Sequence, residues 1–288
     1  MSLLKAVGYR LVILAATIVA GGLLSATLAR YAPGFGTDER QLDARLSGES
    51  IQAIRSASSE ERSIVSYYVG WLRRAVHGDL GTSRSLQRPV RELLAERGAV
   101  TLRIVGAGLA VAWLVAVSLI LVTWLLHSAA VERACTVGSG LMLCLPAGAV
   151  ALLLILFDGP GFLALALVVF PKVHRYLSDL VRATAGMPHI VAAKAKGIGE
   201  ARILLWHIVP VIRREVLALA GVSVGLAVSA AIPVEALCGI PGAGQLAWQS
   251  ALARDLPVLI NVSLVVIAFT VLANSGADLL AEERRQLS

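Results

Sequence analysis

Apolar residues in this chain fall in long uncharged blocks, not in the short alternating or helical stripes of a water-soluble fold. Such runs cover Leu11–Ala29, Ile104–Leu126, Ala134–Phe157, Val216–Val234 and Leu256–Ala277. At 1.5 Å per residue, each is long enough to cross about 30 Å of hydrocarbon as a helix. A sixth run, Pro160–Pro171, is short. It spans only if its helix continues past Lys172 toward Tyr176, with Lys172 and Arg175 snorkelling at an interface. The pattern predicts an all-α membrane protein with about six transmembrane helices. It divides into residues 1–30 (N-terminus and first helix), a polar segment 31–103, and a five-helix core 104–288 that contains a long connecting loop, 172–214.

Polar positions between the runs set the orientation. The Lys172–Arg214 connection carries Lys172, Arg175, Arg182, Lys194, Lys196, Arg202, Arg213 and Arg214 against only Asp179 and Glu200. A Lys/Arg excess of this kind marks a cytoplasmic loop. Glu235–Leu256 has one Arg against two acids, and Phe157–Gly161 has Asp158 alone, so both suit the outside. Counting crossings then places both termini in the cytoplasm and Arg30–Arg103 outside. Within that outer segment Ser58 is an N-cap with Glu61 three residues on. Ile64, Val65, Tyr68, Leu72 and Val76 follow as an amphipathic stripe. His77–Ser83 is turn-rich, and Pro89 opens a second amphipathic helix toward the membrane. Lys5 and Arg10 before the first run resemble a signal-peptide start, but the run is long for one and reads as an uncleaved anchor.

Composition changes this picture little. The chain has 288 residues, 57% of them hydrophobic, and a mean hydropathy of +0.76. One soluble core cannot hide that much apolar surface. The net charge of +7 would suggest nucleic acid in a soluble protein. Here the basic residues sit in loops, no aromatic-interleaved basic patch occurs, and lipid is the expected partner. Cys135, Cys144 and Cys238 form no CxxC pair and read as small packing residues. His77, His127, His174, His189 and His207 are scattered and read as solvated or interface histidines. No GxxxxGK[ST] phosphate cradle and no HExxH or GxSxG motif is present, so no catalytic residue, metal site or cofactor is expected in the chain.

The densest chemistry lies in the basic loop, at Val191-Ala-Ala-Lys-Ala-Lys-Gly-Ile-Gly-Glu200, continuing to His207-Ile-Val-Pro210. Ala192, Ala193 and Ala195 suit a short helix that seats closely in a cleft. Gly197 suits a left-handed helix cap. Gly199 and Glu200 start a further segment, Ala201–Ile208, and Pro210 leads out toward the next membrane helix. An ordinary connector anchored to headgroups by Lys194 and Lys196 would show similar spacing. Beyond the fifth run, Pro241-Gly242 reads as a type II turn, with Gly242 and Gly244 permitting a tight return of the chain. Glu235, costly in lipid, is expected at an interface or facing a watery cavity. Gly221 and Gly225 read as a small-residue packing pair.

Together these motifs resemble the permease subunits of binding-protein-dependent ABC importers, in the dipeptide, oligopeptide and nickel branch. The resemblance covers nearly the whole chain. It rests on Gly78-Asp-Leu-Gly81, Pro89-Val90 and Thr101-Leu102; on the Ala192-Ala193 to Pro210 loop; on Glu235 with Ile240-Pro-Gly-Ala-Gly244; on Arg254-Asp255-Leu-Pro-Val258; and on Asn274 with Asp278. It implies an inner-membrane subunit forming half of a translocation path, for short peptides first and for nickel or a metal chelate second. It also implies a second, similar permease as partner in a heterodimer, two ATPase subunits that hold ATP and Mg, and an extracytoplasmic binding protein. Val191, Ala192, Ala193, Lys194, Lys196, Gly197, Glu200, His207 and Pro210 would form the loop that docks on the ATPase. Glu235, Pro241, Gly242, Gly244, Arg254 and Asp255 would form the outer turn. The chain departs from the branch at Val191, where the general consensus has Glu, in the short Phe157–Gly161 connection, and at the ending Ala281–Ser288. Two rival readings are a secondary transporter, which usually carries inverted repeats and ionisable residues in broken midplane helices, and a non-transporting sensor.

Overall fold

The computed structural model describes the backbone of residues 77–283, the side chains of residues 77–276, and scattered positions within 8–27 and 70–75. The Ser58 N-cap and most of its amphipathic stripe lie outside the described residues, as do Asp278's side chain and the chain's last five residues. An apolar helix over Ala15–Leu24 is described in part. The continuous helices are α1 (Val90–Leu126), α2 (Ala129–Leu143), α3 (Ala147–Leu156), α4 (Gly161–Ala185), α5 (Pro188–Ala195) and α6 (Glu200–Ile203). A π-helical turn (Leu204–Ile208) leads into α7 (Val209–Leu237), followed by α8 (Ala243–Leu252) and α9 (Leu256–Glu283). Beyond one isolated bridge, Thr82 to Pro89, no strand pairing occurs among the described residues. The protein is all-α.

Three described helices are long and apolar enough to cross a membrane: Val90–Leu126, Glu200–Leu237 and Leu256–Gly276. The bent pair α2–α3 can supply a fourth. The run Ala134–Phe157, expected as one straight span, is broken, and its two helices meet at 99°. Pro146 is the cause: it adopts an extended conformation at the N-cap of α3 and has no N–H with which to continue α2. The short sixth run does continue past Lys172, and α4 runs to Ala185 with Lys172, Arg175 and Arg182 exposed. α1 is continuous through Arg103, where the sequence suggested the edge of the outer segment. Its 37 residues reach about 55 Å, well beyond a hydrocarbon core of about 30 Å. Its charged start, where Arg88 pairs with Glu92 and Glu96, therefore projects past the hydrocarbon.

The chain divides into two compact units, residues 1–96 with 246–268, and residues 97–245 with 269–288. In the first, Val90, Leu93, Leu246, Val258 and Val262 form the core. In the second, α4 buries Leu165, Val169, Val173, Leu177 and Val181, mostly one helical turn apart, and packs against α2, α3 and α7. α7 buries Gly221, Ser223, Gly225, Ala227, Val228, Ala230, Ala231 and Val234. Small residues let backbones approach closely, which favours helix association in lipid. The same device recurs at Gly108 of α1, where a Cβ would come within 2.7 Å of Leu165 Cβ.

Candidate functional site

Helix α5 is short but sharply bounded. Pro188 occupies its first turn, where no N–H is needed. At the other end Gly197 has φ +75°, and two backbone bonds close the turn, Gly197 N–H to Lys194 C=O (2.9 Å) and Ile198 N–H to Ala193 C=O (3.3 Å). This pair is the Schellman arrangement, so Gly197 occupies the left-handed position expected for it. Ile190 and Ala193 face into the chain, whereas Val191, Ala192, Lys194, Ala195 and Lys196 are exposed. Ala193 is only 6% exposed. Its methyl therefore packs within this subunit, whereas Ala192 and Ala195 are exposed.

The segment after Gly197 is less independent than its sequence suggested. α6 starts at Glu200 after the extended Gly199, makes one turn, and passes through the π turn directly into α7. In the π turn Val209 N–H reaches Leu204 C=O, five residues back. Widening of this kind accommodates Pro210, which lacks an N–H and would crowd the preceding turn of a regular helix. Pro210 thus lies inside the first turn of α7. Leu205 and Trp206 are exposed there, Trp206 at 75%, and His207 is half-buried.

Side chains beyond the expected set fasten this segment. Glu200 Oε1 lies 3.3 Å from Lys194 Nζ and 3.2 Å from His127 Nε2. The indole N–H of Trp124 donates to the Glu200 carbonyl at 3.1 Å, and Lys194 Nζ sits 4.7 Å from the centre of the Trp124 ring. Arg182 on α4 pairs with Glu132 on α2. The Lys194–Glu200 pair is about one-third exposed. Such pairs contribute at most about 1 kcal/mol, so this one holds geometry more than it adds stability. Sequence reading missed Trp124 and His127 because each stands about 70 residues from its partner at the end of an apolar run.

The second motif gathers around Glu235, which is fully buried. Its Oε2 accepts the Gly244 N–H at 2.7 Å, and the Thr101 hydroxyl nearby accepts the Ala243 N–H at 2.8 Å. The carboxyl group therefore sits against the N-terminus of α8, where the otherwise unpaired Gly244 N–H donates to it. Within this subunit it is closed to water, which differs from the expected watery cavity. A type II turn at Pro241-Gly242 is also overturned. Such a turn needs positive φ at Gly242, and the positive φ (+65°) belongs to Gly239 instead. Gly239 ends α7, with Ile240 N–H bonded to Glu235 C=O at 3.0 Å. Gly242 and Gly244 are required for a different reason. A Cβ on Gly242 would overlap the Glu235 carboxyl, and one on Gly244 would stand 2.6 Å from Ile232 Cα.

Arg254 and Asp255 belong to another cluster. Arg254 has φ +55° and is exposed, while Asp255 is buried. Asp255 Oδ2 accepts the Ser83 hydroxyl (2.6 Å), the Ser85 hydroxyl (2.8 Å) and the Ser85 N–H (2.9 Å). Asn261 donates to the Leu80 carbonyl at 3.0 Å. The Gly78–Gly81 turn and the Arg254–Val258 motif, far apart in sequence, are thus one assembly. Ser83, Ser85 and Asn261 were not singled out by sequence reading. Burial alone would raise the Asp255 carboxyl. Hydrogen bonds from Ser83, Ser85 and the Arg84 backbone outweigh it and hold the group below the usual aspartate value. A carboxyl depressed in the folded state contributes stability above its unfolded pKa and loses it as pH falls through the folded one. The thermal midpoint of the detergent-purified protein should fall more steeply below about pH 4 than that of Asp255→Asn; superimposable pH profiles would remove Asp255 as a source of acid sensitivity.

Asn274 is half-buried, with Oδ1 shielded and making no hydrogen bond. Among the described residues no group of three or more His, Cys, Asp or Glu stands together in a metal-binding arrangement.

Residues 108–285 match the family described as binding-protein-dependent transport system inner membrane component. A protein named a peptide permease in Brucella suis biovar 1 is 28% identical, over 94% of this chain and 94% of its own length. A Brucella ovis relative of the same name is also 28% identical, with the same coverage. The nickel import system permease protein NikB of Staphylococcus aureus is 26% identical, over 97% of this chain and 90% of its own. The family match takes in well over half of the sequence, and the apolar helices are those of an integral membrane protein. The chain belongs to the binding-protein-dependent transport system inner membrane components, as a permease subunit of an ABC importer.

Proposed function

We propose that this subunit forms half of a translocation path for short peptides, paired with a second, similar permease, and is driven through its 191–210 segment by a separate ATPase. Two ATPase subunits would bind ATP and Mg on the cytoplasmic side, and a binding protein would deliver solute on the other. The observation that carries the reading is α5: a helix closed at both ends, anchored inward by Ile190 and Ala193, and presenting Val191, Ala192, Lys194, Ala195 and Lys196 outward. A rigid element of this kind can transmit force, which a frayed connector cannot. Peptide is preferred as solute because the Brucella relatives carry that name at the higher identity; the Staphylococcus relative supports nickel as the second reading. Uptake of labelled trialanine and of radioactive nickel ion, each competed by the other, separates the two.

Orientation follows from the charge distribution, with both termini and residues 172–214 cytoplasmic and residues 30–103 outside. A membrane-impermeant thiol reagent added from outside should label a single cysteine at Ser58 and not one at Ala201; the reverse pattern would invert the topology. Purified alone, the chain should hydrolyse ATP only at background level, because it encodes no phosphate cradle. Turnover that survives removal of every copurifying ATPase would overturn the assignment.

A further inference from the structure

We propose that Trp124, Lys194 and Glu200 act as a clamp that carries the movement of α5 into α1, so that α1 shifts together with the ATPase-facing helix. The proposal rests on the reading of α5 as the ATPase-docking element. Chain connectivity ties α5 to α4 before it and to α7 after it. It does nothing for α1, whose C-terminal end lies about 70 residues upstream. α1 touches α4 at Gly108 and donates from Trp113 to Ser223 of α7, and the bonds at Glu200 add a direct tie between its C-terminal end and the α5–α6 segment. Trp124 donates to the main-chain carbonyl of Glu200, so it follows the backbone of the segment whatever the side chains do. Lys194 bridges the two sides of the Gly197 turn by reaching Glu200, and its ammonium also covers the Trp124 ring. One cation thereby joins α5, α6 and α1.

His127 completes the arrangement from the turn after α1. Its φ of +49° is uncommon for a residue other than glycine, and from that conformation its imidazole meets Glu200 Oε1. The next helix is tied to the same end of this unit through Glu132 and Arg182. The α1–α2 turn is therefore held on both sides. A pair as exposed as Lys194–Glu200 is a poor source of stability. Its place across the turn of the moving element suits a positioning role, in which Trp124, Lys194 and Glu200 touch no solute and act through α1.

The test uses the complete importer in proteoliposomes, with trialanine and nickel ion as probes, and reads solute transported per ATP hydrolysed. Trp124→Phe keeps an aromatic face for Lys194 but, with its smaller ring, removes the N–H; Glu200→Gln keeps the shape and removes the charge. Each should lower the transport-to-hydrolysis ratio at least about fivefold, the low end of measured couplings between linked sites; Trp124→Phe, which lies outside the docking loop, should do so with ATPase copurification intact. A structural role alone would lower abundance and both rates together, leaving the ratio unchanged, and that result would overturn the proposal. A second measurement needs no change in the clamp. Spin labels at exposed Leu126 and Lys196, in a background without the native cysteines, should keep their separation between nucleotide-free and ATP-trapped states. A separation that changes by half a helical turn or more would show that α1 does not follow α5. Failure of the docking reading itself looks different, since Ala192→Trp would then retain its ATPase.

Discussion

Alanine at Gly244 is expected to be among the most damaging single-methyl changes in the chain. The added Cβ would stand 2.6 Å from Ile232 Cα and 3.1 Å from the Ala231 carbonyl, both of them backbone atoms of α7. A flexible side chain could swing aside, but a packed helix backbone cannot. The start of α8 must then lift away, and the Gly244 N–H that serves Glu235 is lost with it. Overpacking of this kind costs about 1–3 kcal/mol, and the rigid neighbour puts this case at the top of that range or beyond. A buried carboxyl group stripped of a donor adds to the loss. Gly242→Ala should be nearly as harmful, because its Cβ would overlap the Glu235 carboxyl. Gly106→Ala is the control: beyond its own helix backbone nothing lies within 4 Å of where a Cβ would stand, so helix propensity alone acts and the change should be neutral or mildly stabilising. Thermal unfolding of the three purified variants decides this. Equal midpoints for Gly244→Ala and Gly106→Ala would show that the close approach at Ile232 does not matter.

Bulk on the exposed face of α5 should uncouple the transporter without unfolding it. Ala192→Trp places a large ring on an exposed position, so the subunit should accumulate normally in the membrane, lose its ATPase on purification, and lose uptake. Ala193→Trp is a different experiment, although the two residues are adjacent. Its side chain points into the chain and is 6% exposed, so the ring has no room and abundance itself should fall. Gly197→Val should also harm, because a β-branched residue is strained at φ +75°. Arg182→Gln should be mild, since the Arg182–Glu132 pair is about half exposed and contributes at most about 1 kcal/mol. Membrane abundance, ATPase copurification and uptake, measured together on all four, separate docking from folding. Full ATPase retention and full uptake in Ala192→Trp would leave α5 as an ordinary connector.

Much of the architecture was legible because hydropathy and local chain geometry act over short distances. The all-α character followed from run length, and the short sixth run showed that its helix had to continue past Lys172 in order to span. The left-handed cap at Gly197 followed from glycine beside a short helix. What was not legible depends on direction or distance. Run length cannot reveal a bend, so Ala134–Phe157 looked like one span although Pro146 turns the chain by a right angle. The glycines at 242 and 244 were visible, but their cause was not: they make room for Glu235 and Ile232, and the turn itself is set by Gly239. Ala193 looked like a surface residue because helix length alone does not say which face is covered. The meeting of Asp255 with Ser83, 172 positions apart, leaves no trace in local spacing. Trp124 read as part of an apolar run, and only its N–H bond to Glu200 shows otherwise.

Solute uptake into proteoliposomes holding this chain, its second permease, the ATPase and the binding protein tests the central claim most directly. Uptake of trialanine or nickel ion should require ATP on the ATPase side and stop when the ATPase phosphate-cradle lysine is replaced. Uptake by this chain alone, driven by an ion gradient and indifferent to the ATPase, would contradict it.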